Sequence, residues 1–186
     1  MDARARILEA AVECLGRGGY AGTTITAVAR LAGLSRPSVY AHFGTREQLV
    51  SQALRQEAGE VVERVTAQAR GASTAADFVV EATIAVRAEF RSRPALAPLA
   101  FPERSSPSLG HEAIGPEAMA MARAVLTPLL EYEPSLTEEI DEIAETLIRW
   151  TLSLAMFESD LSASDERLRA YLHRRLVPAL APRAAP

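Results

Sequence analysis

Two short segments joined by a glycine, residues 24–43, constrain this chain more than any other stretch; they read TITAVARLAGLSRPSVYAHF. Thr24 and Ser35 are residue types that cap helix N-termini, and Gly33 can adopt the left-handed conformation that ends a helix. Apolar residues recur at three- and four-residue spacing along one side of each segment. Helices this short are unstable alone. The pattern therefore predicts a helix-turn-helix, in which two short helices pack across a tight turn.

Neighbouring segments supply the apolar surface that such a unit needs. Residues 3–17 predict a helix with one apolar stripe, which ends at the glycine pair 18–19. Residues 45–48 read TREQ and match a capping box, in which a threonine is followed three residues later by a glutamine. This box is expected to begin a long fourth helix that reaches residue 69.

The remaining sequence also has helical periodicity, and no stretch has a convincing strand pattern. Further helices are expected over residues 75–91, 117–131, 137–157 and 164–180. Pro128 should bend or shorten the second of these, and Thr137 could cap the third. Five prolines punctuate residues 93–116, where we expect one short helix and a mobile loop.

Charge is distributed unevenly along the chain. All 20 basic residues are arginine, and the net charge is −4, which by itself does not suit a protein that binds nucleic acid. Residues 1–55 nevertheless hold seven arginines against four acidic residues, a local charge of +3, whereas the remainder holds 13 against 20, or −7. Because the local field decides what a surface attracts, the N-terminal segment remains compatible with DNA.

The second short helix offers polar side chains suited to DNA. Its N-terminal half would enter the major groove, which admits an α-helix. Arg36 could contact guanine or grip a phosphate, and Tyr40 and His42 could reach phosphates. The alternative is that Tyr40 and His42 are polar core residues and that Arg36 is a solvated surface charge. The predicted DNA-binding residues are Thr24, Ser35, Arg36, Pro37, Ser38, Tyr40, Ala41, His42 and Arg46.

Residues 7–54 resemble the N-terminal domain of the tetracycline-repressor (TetR) family. The resemblance is carried by the stretches TTITAVARLAGLS, SVYAHF and REQL and by Ile7, Leu8, Ala11, Leu15, Gly19 and Tyr20. Many members have lysine where this chain has Arg46. The resemblance implies an all-α homodimer of about nine helices that acts as a ligand-controlled transcription factor, usually a repressor. It also implies a helix-turn-helix domain at residues 1–47 and an effector-binding and dimerisation domain at residues 48–186.

The C-terminal domain has two predicted surfaces, each with a plain alternative. The effector pocket is expected near Phe78, Ala82, Val86, Phe90, Met119, Ala122, Tyr132, Trp150 and Phe157, although aromatic and methionine residues at helical spacing are also ordinary core. The dimer interface is expected at Leu147, Ile148, Thr151, Leu152, Ala155, Met156, Leu168, Tyr171, Leu172 and Leu176, unless these residues only close the core of one chain. His111 either gates the pocket or is a solvated loop residue.

Other classes of protein find less support in the sequence. His42, His111, His173 and Cys14 have no metal-ligand spacing, and no phosphate-binding loop or nucleophile motif is present. An enzyme, a metal site and a cofactor are therefore not expected. The N-terminus lacks an apolar signal region, no stretch is long enough to span a membrane, and Cys14 reads as a buried structural thiol. We expect a cytoplasmic protein whose partners are an operator, a small molecule and a second copy. The alternatives are a helical protein-interaction module and a constitutive DNA binder.

Overall fold

A computed structural model describes residues 2–100 and 114–180 of the chain. In these ranges the α-helices are α1 (Ala3–Gly22), α2 (Ile25–Ala32), α3 (Arg36–Phe43), α4 (Arg46–Ala69), α5 (Ala75–Ser92), α6 (Ala97–Ala100), α7 (Pro116–Leu126), α8 (Leu129–Tyr132), α9 (Ile140–Met156) and α10 (Asp165–Arg175). Four 3-10 helices occur at Pro94–Leu96, Pro134–Glu139, Asp160–Ser162 and Val177–Leu180. Every regular element in the described ranges is helical, which confirms the all-α prediction. His111 and most of the expected loop lie outside the described residues.

The chain divides into two compact units. The first contains the described residues 2–60 and 92–100, and the second contains residues 61–91 and 114–180. Helix α4 contributes residues to both units. The predicted boundary between residues 47 and 48 separates functions instead of compact units, and it stays a prediction.

The first unit is built around α1, which packs against α2 and against the 3-10 helix Pro94–Leu96. Its core draws apolar side chains from α1, α2, α3 and the start of α4, including Ile7, Leu15, Val28, Val39 and Leu49, each at most 1% exposed. The helix-turn-helix therefore shares one core with the helices on either side of it. This arrangement provides the apolar cover that two eight-residue helices need.

The predicted helix starts of the first unit are confirmed. The Thr24 side chain accepts a hydrogen bond from the Ala27 backbone N–H at 3.1 Å, and the Ser35 side chain accepts one from the Ser38 backbone N–H at 3.3 Å. The capping box also forms. The Gln48 backbone N–H donates to the Thr45 hydroxyl at 3.1 Å, while the Thr45 backbone N–H donates to the Gln48 side chain at 3.2 Å.

Helix α1 ends differently from the prediction. It continues past residue 17 to Gly22, but Gly19 breaks the helical backbone with a φ of 59° and a ψ of −161°. The last turn is therefore kinked away from the rest of the helix. Positive φ costs glycine little, which explains why the kink lies at this residue. The next residue, Tyr20, is half-buried beside the unit's core.

The second unit has α5 at its centre and buries side chains such as Phe78, Val80 and Ile84. Helix α7 packs against α9. Pro128 interrupts the helix expected over residues 117–131, since α7 stops at Leu126 and α8 begins at Leu129. The expected last helix stops at Arg175 and continues as the 3-10 helix Val177–Leu180.

The predicted cap at Thr137 is wrong. Residues Pro134–Glu139 form a 3-10 helix, and α9 begins only at Ile140, without a side-chain cap. The Thr137 hydroxyl donates to the Pro134 carbonyl oxygen at 2.7 Å. That bond stabilises the tighter turn, in which a threonine hydroxyl competes with the α-helical hydrogen-bond pattern.

A row of ion pairs, which we call the charged seam, joins α5 to α10 and to the segment before it. The pairs are Asp77–His173 at 3.4 Å, Glu81–Arg169 at 2.5 Å, Arg87–Asp165 at 3.8 Å and Arg91–Glu158 at 2.6 Å. The Arg87 guanidinium is buried and also donates to the Ser162 carbonyl oxygen at 2.7 Å. Burial and the nearby Arg91 lower the pKa of Arg87 from its ordinary value.

Candidate nucleic-acid interface

The turn between α2 and α3 has the geometry that its glycine predicts. Gly33 is left-handed, with a φ of 65° and a ψ of 37°, and the Leu34 backbone N–H donates to the Ala29 carbonyl oxygen at 2.9 Å. The Arg6 guanidinium donates to the Ala32 carbonyl oxygen. It also lies 3.1 Å from the position that a Cβ at residue 33 would occupy. The left-handed backbone therefore favours glycine here, and a Cβ would in addition have to displace the end of the Arg6 side chain slightly.

Helix α3 separates its apolar and polar residues by face. Val39 and Phe43 point into the core and are 0% and 3% exposed. Arg36, Pro37, Ala41 and His42 are exposed, Tyr40 is 44% exposed, and Ser38 is half-buried. The alternative in which Tyr40 and His42 are core residues is therefore wrong. The outward face of α3 carries the side chains that the sequence predicts for DNA, and that role stays a prediction.

Thr24 lies at the exposed start of α2, and Ser35 is exposed at the start of α3. The Thr24 backbone N–H donates to the Gly22 carbonyl oxygen at 3.0 Å, so a phosphate at this N–H would compete with a hydrogen bond within the chain. The Thr24 hydroxyl accepts the N-cap hydrogen bond but keeps its own hydrogen to donate. Thr24 can therefore still contact a phosphate through its hydroxyl.

The Arg46 side chain makes contacts within the first unit. Its Nε donates to the Thr23 carbonyl oxygen at 2.7 Å, and a second guanidinium nitrogen donates to the Tyr20 carbonyl oxygen. The guanidinium carbon lies 4.1 Å from the centre of the Tyr20 ring. Its predicted phosphate contact thus competes with three interactions within the chain.

Other arginines counted as positive charge near the N-terminus also have internal partners. Arg4 lies over the Phe43 ring at 5.3 Å and donates to Gln52, and Arg6 holds the end of α2. Arg30 and Arg36 are exposed, and their side chains make no hydrogen bond or ion pair with another residue in the described ranges. Sequence reasoning did not select Arg30, although its place two residues after the buried Val28 indicates that it faces away from the core.

Residues 7–53 match the family model described as bacterial regulatory proteins, tetR family. Residues 7–53 are therefore a domain of the TetR family. The HTH-type transcriptional repressor AcnR of Corynebacterium efficiens is 33% identical over 66 residues, which are 36% of this chain and 35% of that repressor. The chain thus matches about a third of the length of this curated relative. The family-model match at residues 7–53 includes the helix-turn-helix described above and confirms the TetR resemblance read from the sequence.

Solved structures extend the likeness in fold to nearly the whole chain. A TetR-family regulator of Streptomyces coelicolor A3 is 24% identical, covers 96% of this chain and 93% of its own, and has a TM-score of 0.58. A transcriptional regulator of Rhodococcus sp. Rha1 is 23% identical, covers 96% of each chain, and has a TM-score of 0.67. At this level of identity the similarity establishes the fold alone.

The residues predicted for the effector pocket all belong to the second unit. Phe78 and Ala82 are buried, whereas Val86, Phe90, Met119, Ala122, Tyr132 and Trp150 are half-buried. The Phe78 and Tyr132 rings lie 5.9 Å apart, and the Tyr132 hydroxyl donates to the Ala72 carbonyl oxygen at 3.0 Å. Phe157 is 67% exposed. We therefore remove Phe157 from the predicted pocket, because it cannot line an enclosed cavity of this chain.

The predicted dimer residues fall into two groups. Leu147, Thr151, Leu168, Leu172 and Leu176 are buried within the single chain, the last three completely. Ile148, Leu152, Ala155 and Tyr171 are half-buried, and Met156 is 36% exposed. The three fully buried leucines are core residues with no surface left for a partner, so the prediction is revised for them. Phe157 and Leu161, which is 49% exposed, extend the apolar surface beyond the residues selected from the sequence.

The described ranges also bear on metal binding, membrane insertion and thiol chemistry. No group of three or more histidine, cysteine or acidic side chains there could hold a metal ion, and no helix there is long and apolar enough to cross a membrane. Cys14 is half-buried, and burial raises the pKa of its thiol above the ordinary value. A thiol with a raised pKa is a weaker nucleophile at neutral pH.

Proposed function

We propose that this TetR-family chain is a repressor that binds a palindromic operator as a dimer and releases it when a small molecule binds the second unit. The observation that carries the proposal is the division of α3, with Val39 and Phe43 inward and Arg36, Tyr40 and His42 outward. The major groove of DNA admits an α-helix whose exposed face carries polar side chains. A function on DNA also implies a location in the cytoplasm.

A dimer is supported by the apolar surface at the end of α9. Three large hydrophobic side chains there, Met156, Phe157 and Leu161, are 36%, 67% and 49% exposed. Contiguous exposed apolar residues mark interaction surfaces, and the half-buried Ile148 and Leu152 continue this surface along α9. Two copies related by a two-fold axis would present two α3 helices to half-sites about 34–36 Å apart.

Operator binding is expected to be steeply salt-dependent and sensitive to Arg36. If a dimer contacts 6–10 phosphates, affinity falls by about 10³- to 10⁵-fold between about 50 mM and 200 mM salt. Arg36→Ala should weaken binding by roughly 5- to 150-fold and relax base preference if the guanidinium contacts a guanine. The measurement is fluorescence anisotropy with an inverted-repeat DNA from the region upstream of the gene itself.

The matched control is Arg70→Ala. Arg70 is exposed and belongs to the second unit, so this change removes the same charge and should leave operator affinity near that of the wild type. A scrambled duplex of the same composition tests sequence preference. Equal binding of the inverted repeat and the scrambled duplex, or an Arg36→Ala variant that binds like the wild type, would contradict operator recognition through α3.

Effector binding in the second unit is expected to weaken operator binding. A ligand shifts a conformational equilibrium only by its differential affinity for the two states, and such couplings typically change affinity by about 5- to 150-fold. Compounds from a metabolite library that raise the melting temperature of the chain would be added to the operator titration. By linkage, the operator should weaken ligand binding by the same factor. If no stabilising compound changes operator affinity, the chain is a constitutive DNA binder.

A further inference from the structure

We infer that Arg46 is a positioning residue that fixes the start of α2 by tying the end of α1 to the first turn of α4, instead of a phosphate contact. The inference rests on the proposed function, since the position of α2 matters through the DNA that Thr24 would touch. On this inference the Arg46 guanidinium, at the start of α4, binds backbone carbonyl oxygens of the same chain.

The guanidinium of Arg46 joins two parts of the chain that are more than 20 residues apart. It donates to the Thr23 carbonyl oxygen at 2.7 Å and to the Tyr20 carbonyl oxygen, and its central carbon lies 4.1 Å from the centre of the Tyr20 ring. The next residue of α4 adds a contact, because the Tyr20 hydroxyl donates to a Glu47 carboxylate oxygen at 3.5 Å. The first turn of α4 therefore holds the segment between α1 and α2.

The two carbonyl oxygens that Arg46 contacts belong to a helix C-terminus. The Tyr20 carbonyl oxygen already accepts the Thr23 backbone N–H at 3.2 Å, so Arg46 adds a second donor there, and a cation near a helix C-terminus is favoured by the helix dipole. The same segment is fixed from inside by Thr23, which is fully buried and donates its hydroxyl to the Gly19 carbonyl oxygen at 2.8 Å. Because Thr24 follows directly and caps α2, the position of Thr23 determines where α2 begins.

The geometry requires arginine. A guanidinium can donate two hydrogen bonds from a rigid plane and stack on an aromatic ring at the same time, whereas a lysine ammonium is a compact point charge. A phosphate contact would tolerate lysine, since charge and reach are kept. The contacts with Thr23 and Tyr20 would not survive that change, so Arg46→Lys separates the two roles.

A double-mutant cycle between Arg46 and Thr24 tests the inference. The variants are Arg46→Lys, Thr24→Val and both together, each measured for operator affinity at a temperature where circular dichroism shows it fully folded. A positioning role predicts that Arg46→Lys weakens binding by about tenfold and that the double variant is no weaker than the worse single variant, because coupled residues are not additive. A merely structural role predicts independent losses that multiply.

The salt dependence and amide exchange provide two further readouts. Arg46→Ala should leave the slope of log affinity against log salt unchanged, whereas the loss of a phosphate contact would reduce it by about 0.9. Hydrogen exchange of the backbone amides at residues 23–28 should be faster in Arg46→Lys than in the wild type, and Arg30→Lys serves as the control with unchanged exchange. A slope reduced by about 0.9, or exchange unaltered in Arg46→Lys, would overturn the inference.

These readouts also separate this inference from the proposed function. If the wild-type chain binds no inverted repeat, operator binding fails while the exchange measurement still decides whether Arg46 holds the segment. If the wild type binds DNA and Arg46→Lys binds equally well, the positioning role fails while the proposed function stands.

Discussion

Replacement of Phe43 by alanine is expected to lower the free energy of unfolding by about 3–5 kcal/mol, the usual cost of removing a buried aromatic side chain. Phe43 is 3% exposed at the end of α3, and its ring lies beneath the Arg4 guanidinium at 5.3 Å. The cavity would lie directly beneath the helix that presents Arg36 and Tyr40. Urea denaturation followed by circular dichroism measures the loss, and operator affinity should fall with it.

Two control variants make this expectation specific. Ala41→Ser changes an exposed residue of the same helix and should leave the free energy of unfolding within about 0.5 kcal/mol of the wild type. Phe43→Leu keeps most of the buried volume and should cost less than Phe43→Ala. A Phe43→Ala variant as stable as the wild type would show that α3 does not share a core with α1.

Replacement of Leu172 by alanine should cost about 2–5 kcal/mol of unfolding free energy, the range for large-to-small substitutions in a core. Leu172 is 0% exposed in the single chain, so its side chain packs within the second unit. If Leu172 instead faced a partner, the substitution would shift the dimer equilibrium and leave the folded monomer nearly unaffected. Urea denaturation and sedimentation velocity on the same samples separate these outcomes.

Phe157→Ser tests an exposed residue, in contrast to the buried Leu172. Phe157 is 67% exposed, and we expect its replacement to leave the stability of the single chain nearly unchanged while reducing the fraction of dimer. Loss of stability in Phe157→Ser, together with an unaltered dimer in sedimentation velocity, would place the interface elsewhere on the second unit.

The helix-turn-helix could be predicted from the sequence because its signals are local. Thr24, Ser35 and the capping box at residues 45–48 satisfy backbone groups within three residues of themselves, and Gly33 acts through its own φ. Thr137 shows the limit of the same reasoning. Its hydroxyl could have capped α9, but it bonds back to Pro134, and residue type alone does not distinguish these two hydrogen bonds.

The partners of the arginines could not be predicted in the same way. Arg6 and Arg46 each bind backbone carbonyl oxygens 26 residues away in sequence, and no local pattern records such a contact. Counting charges therefore overstated how much positive surface the first unit offers. The leucines of α10 pose a similar problem, since an apolar stripe indicates burial but does not reveal whether the same chain or a second copy provides the cover.

The charged seam has a consequence for how the second unit assembles. Along α5 the acidic residues Asp77 and Glu81 come first and the arginines Arg87 and Arg91 come last, while α10 begins with Asp165 and ends with basic residues. If α10 docked with its direction reversed, carboxylates would face carboxylates and guanidiniums would face one another. Like charges at such distances repel. The order of charges thus favours the observed direction of α10 along α5 over the reverse one.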